Sequence, residues 1–357
     1  MKILHLDTGV EWRGGQRQAL LLHQGLLKKG VESYLACNES GKLIEKCNEN
    51  GIPYRYKGEI NPLSVINLLK IIKSVKPDVV HSHDAHSLTP AVIAKYLKKD
   101  FKLIHTRRVD FHIKSNFISR WKYNNKNIDS LVAISEAVKN VLISDGITKP
   151  IEKIYSGLDR KLLARIPQNE KIHLKEKLRI KPDDYVVGSV GSFVPHKDFE
   201  TLIRAFQLLC KEMSNVKLLL VGDGELLPEM KELADSLQIA NNIIFTGRVE
   251  NVGELMSIMD VFAATSKEEG LNTSVIEAMM YELPVIATRA GGLSEIVQDG
   301  YNGYLCNIRD YKCVYKKMNL LLNNNELREY NSNVSGFLES FNYLHMVDKY
   351  RELYGKA

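Results

Sequence analysis

Short apolar runs alternate along the chain with longer segments whose apolar positions recur at helical spacing. In the first half, Lys2–Leu6, Ser33–Ala36, Asp78–His81, Lys102–Thr106, Ser130–Ile134 and Glu152–Tyr155 predict strands. Between them Gln16–Lys29, Pro62–Val75, Ser87–Lys98 and Ser135–Ser144 predict helices, the last opened by Ser135-Glu136 and stopped by Gly146. Arg165–Asp184 breaks the pattern. It is polar, charged and holds two prolines, so it predicts a linker. A second alternation follows: strand Tyr185–Val190, helix Phe199–Glu212, strand Lys217–Val221, helix Leu226–Leu237, strand Ile243–Thr246, helix Val252–Ile258 and strand Val261–Ala264. Pro284–Thr288 reads as one more buried strand, and Glu326–Val334 and Tyr343–Tyr354 as closing helices. This order argues for the α/β class, with two Rossmann-like domains of parallel sheet, residues 1–165 and 166–339. Such sheets bind ligands at the carboxyl ends of their strands.

At 357 residues the chain has room for two cores, and 44% hydrophobic with 26% charged residues is ordinary for a globular protein. No apolar run approaches the roughly 18 residues of a membrane span. Met1–Asp7 is a strand too short in apolar core for a signal peptide. The five cysteines (Cys37, Cys47, Cys210, Cys306, Cys313) are odd in number and scattered, which predicts reduced cytoplasmic thiols filling core space. The net charge of +6 hides a division. Residues 1–170 hold 28 Lys/Arg against 17 Asp/Glu, whereas residues 171–357 hold 21 against 26. A basic first half suits an anionic membrane surface or an acidic acceptor, and equally serves solubility. No basic run interleaved with aromatics points to nucleic acid.

The richest stretch is Glu268–Met280. It reads as a loop opening a helix, with Asn272 or Thr273 able to cap it. A helix start offers free amides and a positive dipole end, which suits a phosphate. Glu269 precedes that start and Glu277 lies two turns inside. Pro284–Thr288, Gly291-Gly292 and Glu295-Ile296-Val297 follow. The ordered string resembles the donor-site signature of family 4 glycosyltransferases, which are retaining, metal-independent enzymes of the GT-B fold. The resemblance runs from Gly14 to Val297. It implies two Rossmann-like domains facing across a cleft, with residues 340–357 returning to pack on the first.

Gly191–Phe199 follows a strand and opens a helix. A glycine lets the backbone approach a ligand, and Lys197 brings a point charge for a diphosphate. The segment resembles the family's glycine-to-lysine loop, except that Ser192 stands where many members carry arginine. Val221-Gly222-Asp223-Gly224 resembles a second turn near the donor. Phe245–Val249 resembles the segment that holds the nucleotide base, where Arg248 serves either the donor or the structure. The resemblance thus implies donor binding by Gly15, Gly191, Ser192, Lys197, Gly222, Arg248, Gly270, Leu271, Asn272, Thr273 and Glu277. Glu277 would meet the ribose and Glu269 the sugar beside its anomeric carbon.

In the first half, Gly14-Gly15-Gln16-Arg17 resembles the family's N-terminal glycine pair, and Trp12, Arg13 and Gly14 are candidate acceptor contacts. His81-Ser82-His83-Asp84-Ala85-His86 resembles a metallohydrolase cluster, but its aspartate stands one place early for His-x-His-x-Asp-His. The family places histidines at this strand end, so His83 is a catalytic candidate and His86 an acceptor contact. A satisfied structural histidine is the other reading. Arg107 and Arg108 end the next strand, where two guanidiniums match a phosphorylated or carboxylated acceptor or a lipid headgroup. An ion pair with Asp110 is the alternative.

The expected activity is transfer of a sugar from a nucleotide-diphosphate sugar to an acceptor hydroxyl, with Glu269, Lys197 and His83 carrying catalysis and no metal or other cofactor. The expected acceptor is a glycan or glycolipid of the cell envelope, such as lipopolysaccharide or capsule. The expected location is cytoplasmic, peripheral at the inner membrane face. Three rivals remain: a sugar-nucleotide epimerase of the same fold, a metal-dependent hydrolase using His81, His83 and His86, and a non-catalytic sugar-nucleotide binder.

Overall fold

The computed structural model describes residues 1–113, 117–160, 163, 166–324 and 335–356. They form two compact units, Met1–Leu158 with Ser340–Ala357, and Asp159–Glu339. The first boundary therefore falls at Leu158/Asp159, not at 165/166. The expected helix Glu326–Val334 lies outside the described residues.

Unit 1 carries a parallel sheet of order β3-β2-β1-β4-β5-β6-β7. Its strands are β1 (Lys2–Asp7), β2 (Glu32–Asn38), β3 (Gly51–Tyr54), β4 (Val79–Ser82), β5 (Lys102–Arg107), β6 (Ser130–Ala133) and β7 (Ile151–Lys153). The helices are α1 (Gly14–Lys28), α2 (Lys42–Lys46), α3 (Pro62–Val75), α4 (Ala85–Leu97), α5 (Phe117–Tyr123) and α6 (Glu136–Ser144). The central strands read as near-continuous apolar runs because helices cover both faces of such a sheet. Strand β3 contains Gly51 and Pro53, which hide it from an apolar-run search. Proline is tolerated there because β3 is an edge.

The C-terminal helix Tyr343–Lys356 belongs to unit 1. Its Met346, Val347, Tyr350 and Tyr354 complete a core with Ile3, Leu22, Leu26, Val79 and Ile104. Burying a large apolar side chain contributes about 1.5–3 kcal/mol, so this face anchors the helix firmly. Two glycines let it seat. A Cβ on Gly25 would lie 2.4 Å from Val347 Cγ2, and one on Gly157 would lie 2.5 Å from the Tyr343 Cα.

A polar layer sits under the same helix. His81 bonds Tyr354 Oη and Thr106 Oγ1, each at 2.7 Å, and Thr106 Oγ1 meets Tyr350 Oη at 2.9 Å. His5 pairs with His81 across β1 and β4. Burial pushes His5, His81, His83 and His105 well below the usual imidazole range, reinforced by neighbouring histidines and by arginine or lysine charge.

Unit 2 carries a parallel sheet of order β10-β9-β8-β11-β12-β13. Its strands are β8 (Tyr185–Val190), β9 (Val216–Val221), β10 (Ile243–Gly247), β11 (Val261–Ala264), β12 (Val285–Thr288) and β13 (Tyr304–Cys306). Its helices include α7 (Gln168–Lys177), α8 (Phe199–Glu212), α9 (Leu227–Ser236), α10 (Val252–Met256), α11 (Thr273–Met280), α12 (Leu293–Ile296) and α13 (Tyr311–Leu322). Leu202, Phe206, Leu218, Leu220, Val261, Ile286, Val314 and Met318 share its core. The segment expected as a linker is largely helix α7. That helix buries no side chain, so it has no apolar stripe to announce it. The cysteine expectation is also corrected. Cys306, at the end of β13, is disulfide-bonded to Cys313 in the first turn of α13, with Cα atoms 5.7 Å apart. Cys37, Cys47 and Cys210 are free.

Gly222 follows β9 at φ +139°, and a Cβ there would lie 1.9 Å from the Gly191 carbonyl oxygen. Gly222→Ala should therefore destabilise the protein by at least about 2 kcal/mol in urea unfolding, whereas Gly355→Ala, in open space, should be neutral or mildly stabilising. The buried histidines set a pH dependence. Their folded pKa values lie below the unfolded 6.5, so the unfolded chain takes up protons first as pH falls below that value. Asp7, shifted upward to about 6, offsets part of this. The thermal midpoint should drop between pH 7 and pH 5; a flat profile contradicts the neutral histidine layer.

Candidate functional site

In unit 2 the strand order reverses between β8 and β11, the point at which open α/β sheets bind ligands. The loop after β8 carries Gly191, Ser192 and Lys197; the loop after β11 carries Thr265 to Asn272. The two are stitched together. Lys267 N donates to the His196 carbonyl at 2.7 Å, and Thr265 Oγ1 to the Asp198 carbonyl at 2.9 Å. Asp198, in the left-handed region at φ +50°, accepts Thr201 Oγ1 at 2.7 Å and pairs with Lys267 Nζ at 3.1 Å.

At their junction Lys197 Nζ meets Glu269 Oε2 at 2.5 Å. The same oxygen accepts Ser266 Oγ and Asn272 Nδ2, each at 3.1 Å. Both ends of the ion pair are largely buried, at 18% and 12% exposure, so solvent screens it weakly. Asn272, not Thr273, caps α11, its Oδ1 accepting the amides of Ser274 and Val275 at 3.1 and 3.3 Å. Those two amides are thus occupied by the cap. Gly270, Leu271 and Asn272 are buried, and Thr273 is half-buried at the tip. Glu277 is buried on α11. The loop after β12 closes on this junction through Gly292 N, which donates to the Glu269 carbonyl at 2.8 Å. A Cβ on Gly292 would lie 2.2 Å from the Gly270 carbonyl oxygen, which accounts for the second glycine of that pair.

Gly222 presses against Gly191, bringing the turn after β9 beside the loop after β8. Gly222 N donates to the Gly247 carbonyl at 3.0 Å, joining the end of β10 to the same edge. Arg248 follows there and is exposed, as is Ser192. Sequence reasoning missed Ser266 and Asp198. The polar run Thr265-Ser266-Lys267 directly after an apolar strand is the signal that could have found the first.

In unit 1 the order reverses between β1 and β4. Gly14 and Gly15 open α1 after β1, His83 follows β4, and Arg108 follows β5. A Cβ on Gly15 would sit 3.6 Å from Arg108 Cδ, and Gly14 faces open space. Arg108 Nη2 donates to His83 Nδ1 at 3.1 Å, and His83 Nε2 meets His5 Nδ1 at 2.9 Å. A guanidinium only donates, so His83 carries its proton on Nε2 and gives it to His5, whose own proton is then on Nε2. His5 Nε2 and Arg108 Nε are buried with no hydrogen-bond partner among the described residues. Asp7, which sequence reasoning also missed, accepts Gly9 N and Gln16 Nε2 at 2.8 and 3.0 Å. Burial raises its pKa, and the Asp84 charge adds to the rise.

Several expectations fail here. His86 turns away to Glu59 at 3.4 Å and is exposed, so the triad His81, His83, His86 does not assemble. His5 stands in its place, with ligand nitrogens of His5, His81 and His83 within 4.8 Å of one another. Both nitrogens of His81 are engaged by hydroxyls, and the Arg108 guanidinium opposes a cation beside His83. Arg107 is buried in packing, donating to Tyr123 Oη at 2.9 Å and to the Phe111 carbonyl, and presents no fork to an acceptor. Trp12 packs half-buried on Leu35, Cys37 and Leu43 beneath Lys46, because its indole is more valuable against apolar surface than in solvent. Arg13 is exposed before α1 and makes no side-chain cap.

Comparison with known proteins agrees with this architecture. The family model for glycosyl transferases group 1 matches residues 170–334, and that for glycosyltransferase family 4 matches residues 12–162. The uncharacterised glycosyltransferase MJ1069 of Methanocaldococcus jannaschii is 31% identical over 288 residues, 76% of this chain and 72% of its own. The UDP-Gal:alpha-D-GlcNAc-diphosphoundecaprenol alpha-1,3-galactosyltransferase of Escherichia coli is 24% identical, covering 99% of this chain and 96% of its own. The Anabaena protein Alr3699/HepE, solved in complex with UDP-glucose, superposes with a TM-score of 0.88 at 21% identity over the whole of both chains. That likeness identifies the fold as GT-B. With a family model on each unit and this degree of kinship, the chain belongs to the group 1, family 4 glycosyltransferases, and it is a transferase.

Proposed function

We propose that the enzyme moves a glycosyl group from a nucleoside-diphosphate sugar to a hydroxyl of a cell-envelope glycan or glycolipid, with retention and without a metal ion. The observation that carries this reading is the meeting of Lys197 with Glu269 at the strand-order reversal of unit 2, beside the start of α11. A diphosphate laid there would find the Lys197 ammonium and the backbone at Gly270–Thr273, which together stabilise charge growing on the leaving group. Glu277 would bond the ribose, with Gly191, Ser192, Gly222 and Arg248 around the rest of the nucleotide. In the transfer, the bond from the anomeric carbon to the diphosphate oxygen breaks and the bond from the acceptor oxygen to that carbon forms. The acceptor proton passes to the departing diphosphate. Glu269 serves as a positioning group. Three donors on one of its oxygens make it a poor nucleophile, which supports attack from the leaving-group side rather than a covalent intermediate.

In unit 1 Gly14, Gly15, His83 and Arg108 would face substrate. His83 is neutral and its ring nitrogens are held by Arg108 and His5, so it would position the Arg108 guanidinium rather than supply charge. Arg108 retains a free Nε and suits an acceptor oxyanion. The E. coli relative, named for a diphosphate-linked lipid acceptor, supports an acceptor of that class, and a lipid-linked acceptor supports a peripheral place at the cytoplasmic face of the membrane.

A thermal-shift screen with UDP, GDP and ADP sugars should reveal one donor, since a ligand of the folded state raises its melting point. With that donor, Lys197→Ala and Glu269→Ala should each lower kcat/KM by about a hundredfold with the fold intact, and chelator should leave the rate unchanged. Normal turnover in both variants, or full loss on chelation, contradicts the mechanism; an altered sugar nucleotide released without acceptor indicates the epimerase. Arg108→Ala should raise the acceptor KM about tenfold while donor binding stays near wild type. Equal losses for both substrates contradict its acceptor role.

A further inference from the structure

The outer face of α3 carries exposed apolar side chains. On it Leu63 is 55% and Ile66 46% exposed, and their spacing of three places them in one row, while Ile60, 81% exposed, lies in the turn just before the helix. Lys70 and Lys73 continue the row along the helix, both exposed, and Lys57 lies exposed just before it. Helix α3 contains no acidic residue, and these three lysines make no ion pair among the described residues. The nearby carboxylate, Glu59, is turned inward. It accepts Thr89 Oγ1 at 2.6 Å and the Lys122 ammonium, and it meets His86. Those bonds fix the loop before α3 against the start of α4 and against α5. The apolar row therefore stands in a set position at the edge where β3 and β4 end, the edge that also bears His83.

Three neighbouring aliphatic side chains in water cost free energy that only a covering surface recovers. The lysine border selects an anionic one, because each lysine near such a surface adds attraction that salt weakens. We propose that Leu63 and Ile66 of α3 and Ile60 of the turn before it, with Lys57, Lys70 and Lys73, form a docking face for an anionic lipid bilayer, into which the aliphatic side chains insert. This rests on the acceptor reading above and sharpens it: a lipid-linked acceptor would present its headgroup at the edge that carries His83 and Arg108. Helix α3 is amphipathic in the sense of an interfacial helix, with its buried face committed to the unit 1 core through Val65, Leu68 and Ile72.

The test is co-sedimentation of the full chain with phosphatidylcholine vesicles, with and without phosphatidylglycerol. Wild type should bind the anionic vesicles, bind neutral ones far less, and release as salt rises. The double variant Leu63→Asp with Ile66→Asp should lower vesicle affinity by about tenfold or more, with unchanged melting temperature and unchanged donor-induced thermal shift. Lys70→Glu with Lys73→Glu should remove the preference for phosphatidylglycerol. Equal binding by wild type and the Leu63/Ile66 variant overturns the docking face. So does a dimer, seen by sedimentation equilibrium, that the same variant dissolves, because a second copy would then be the occupant. Loss of vesicle binding with normal donor response sinks only this inference; absence of any donor response with vesicle binding intact sinks only the donor assignment.

Discussion

A single carboxylate oxygen of Glu269 gathers the ligand edge of unit 2. It draws Lys197 from the loop after β8, Ser266 from the loop after β11 and the carboxamide that caps α11. A charge this far from water needs partners, and one lysine alone would leave both side chains free to rotate. Three donors hold the carboxylate, and the carboxylate holds the ammonium. The cost of ordering a long lysine is thereby met on folding rather than when a ligand arrives. Glycines 191, 222, 270 and 292 serve the same junction from the backbone side, since at two of them a methyl group would strike a neighbouring carbonyl.

Unit 1 solves a different problem. Its sheet ends in imidazoles rather than in an ion pair, and burial keeps them neutral. Neutral rings can pass hydrogen-bond direction from one to the next, so the guanidinium of Arg108 dictates which nitrogen of His83 and then of His5 bears a proton. The tyrosines of the C-terminal helix satisfy His81 from the other side. The polar layer is thus tied to apolar packing around Val347 and Tyr350.

Most of the alternation of strand and helix was legible because buried parallel strands are apolar throughout and their helices striped. Two of the exceptions have particular causes. Strand β3 is interrupted by Gly51 and Pro53, and α7 has no buried side to generate a period. In the site, the strand-end and helix-start positions of Lys197, Asn272 and Glu277 were legible, because helix caps and strand ends are local features. Contacts made across the sheet were not legible. Nothing near His86 in the chain foretells Glu59, nothing near Arg107 foretells the Tyr123 hydroxyl, and nothing near His83 foretells His5 on another strand. Cys306 and Cys313 stand seven positions apart, yet only the turn from β13 into α13 brings them within bonding reach.

The return of Tyr343–Lys356 to unit 1 makes unit 2 an insertion between two parts of one body. A ribosome delivers the stretch 159–339 whole before the final helix emerges, so the later-encoded body can finish folding while the earlier-encoded one still lacks a wall. During that interval Leu22, Leu26 and Val79 await their cover, and the nascent chain's exposure to chaperones is decided by how soon helix Tyr343–Lys356 leaves the tunnel.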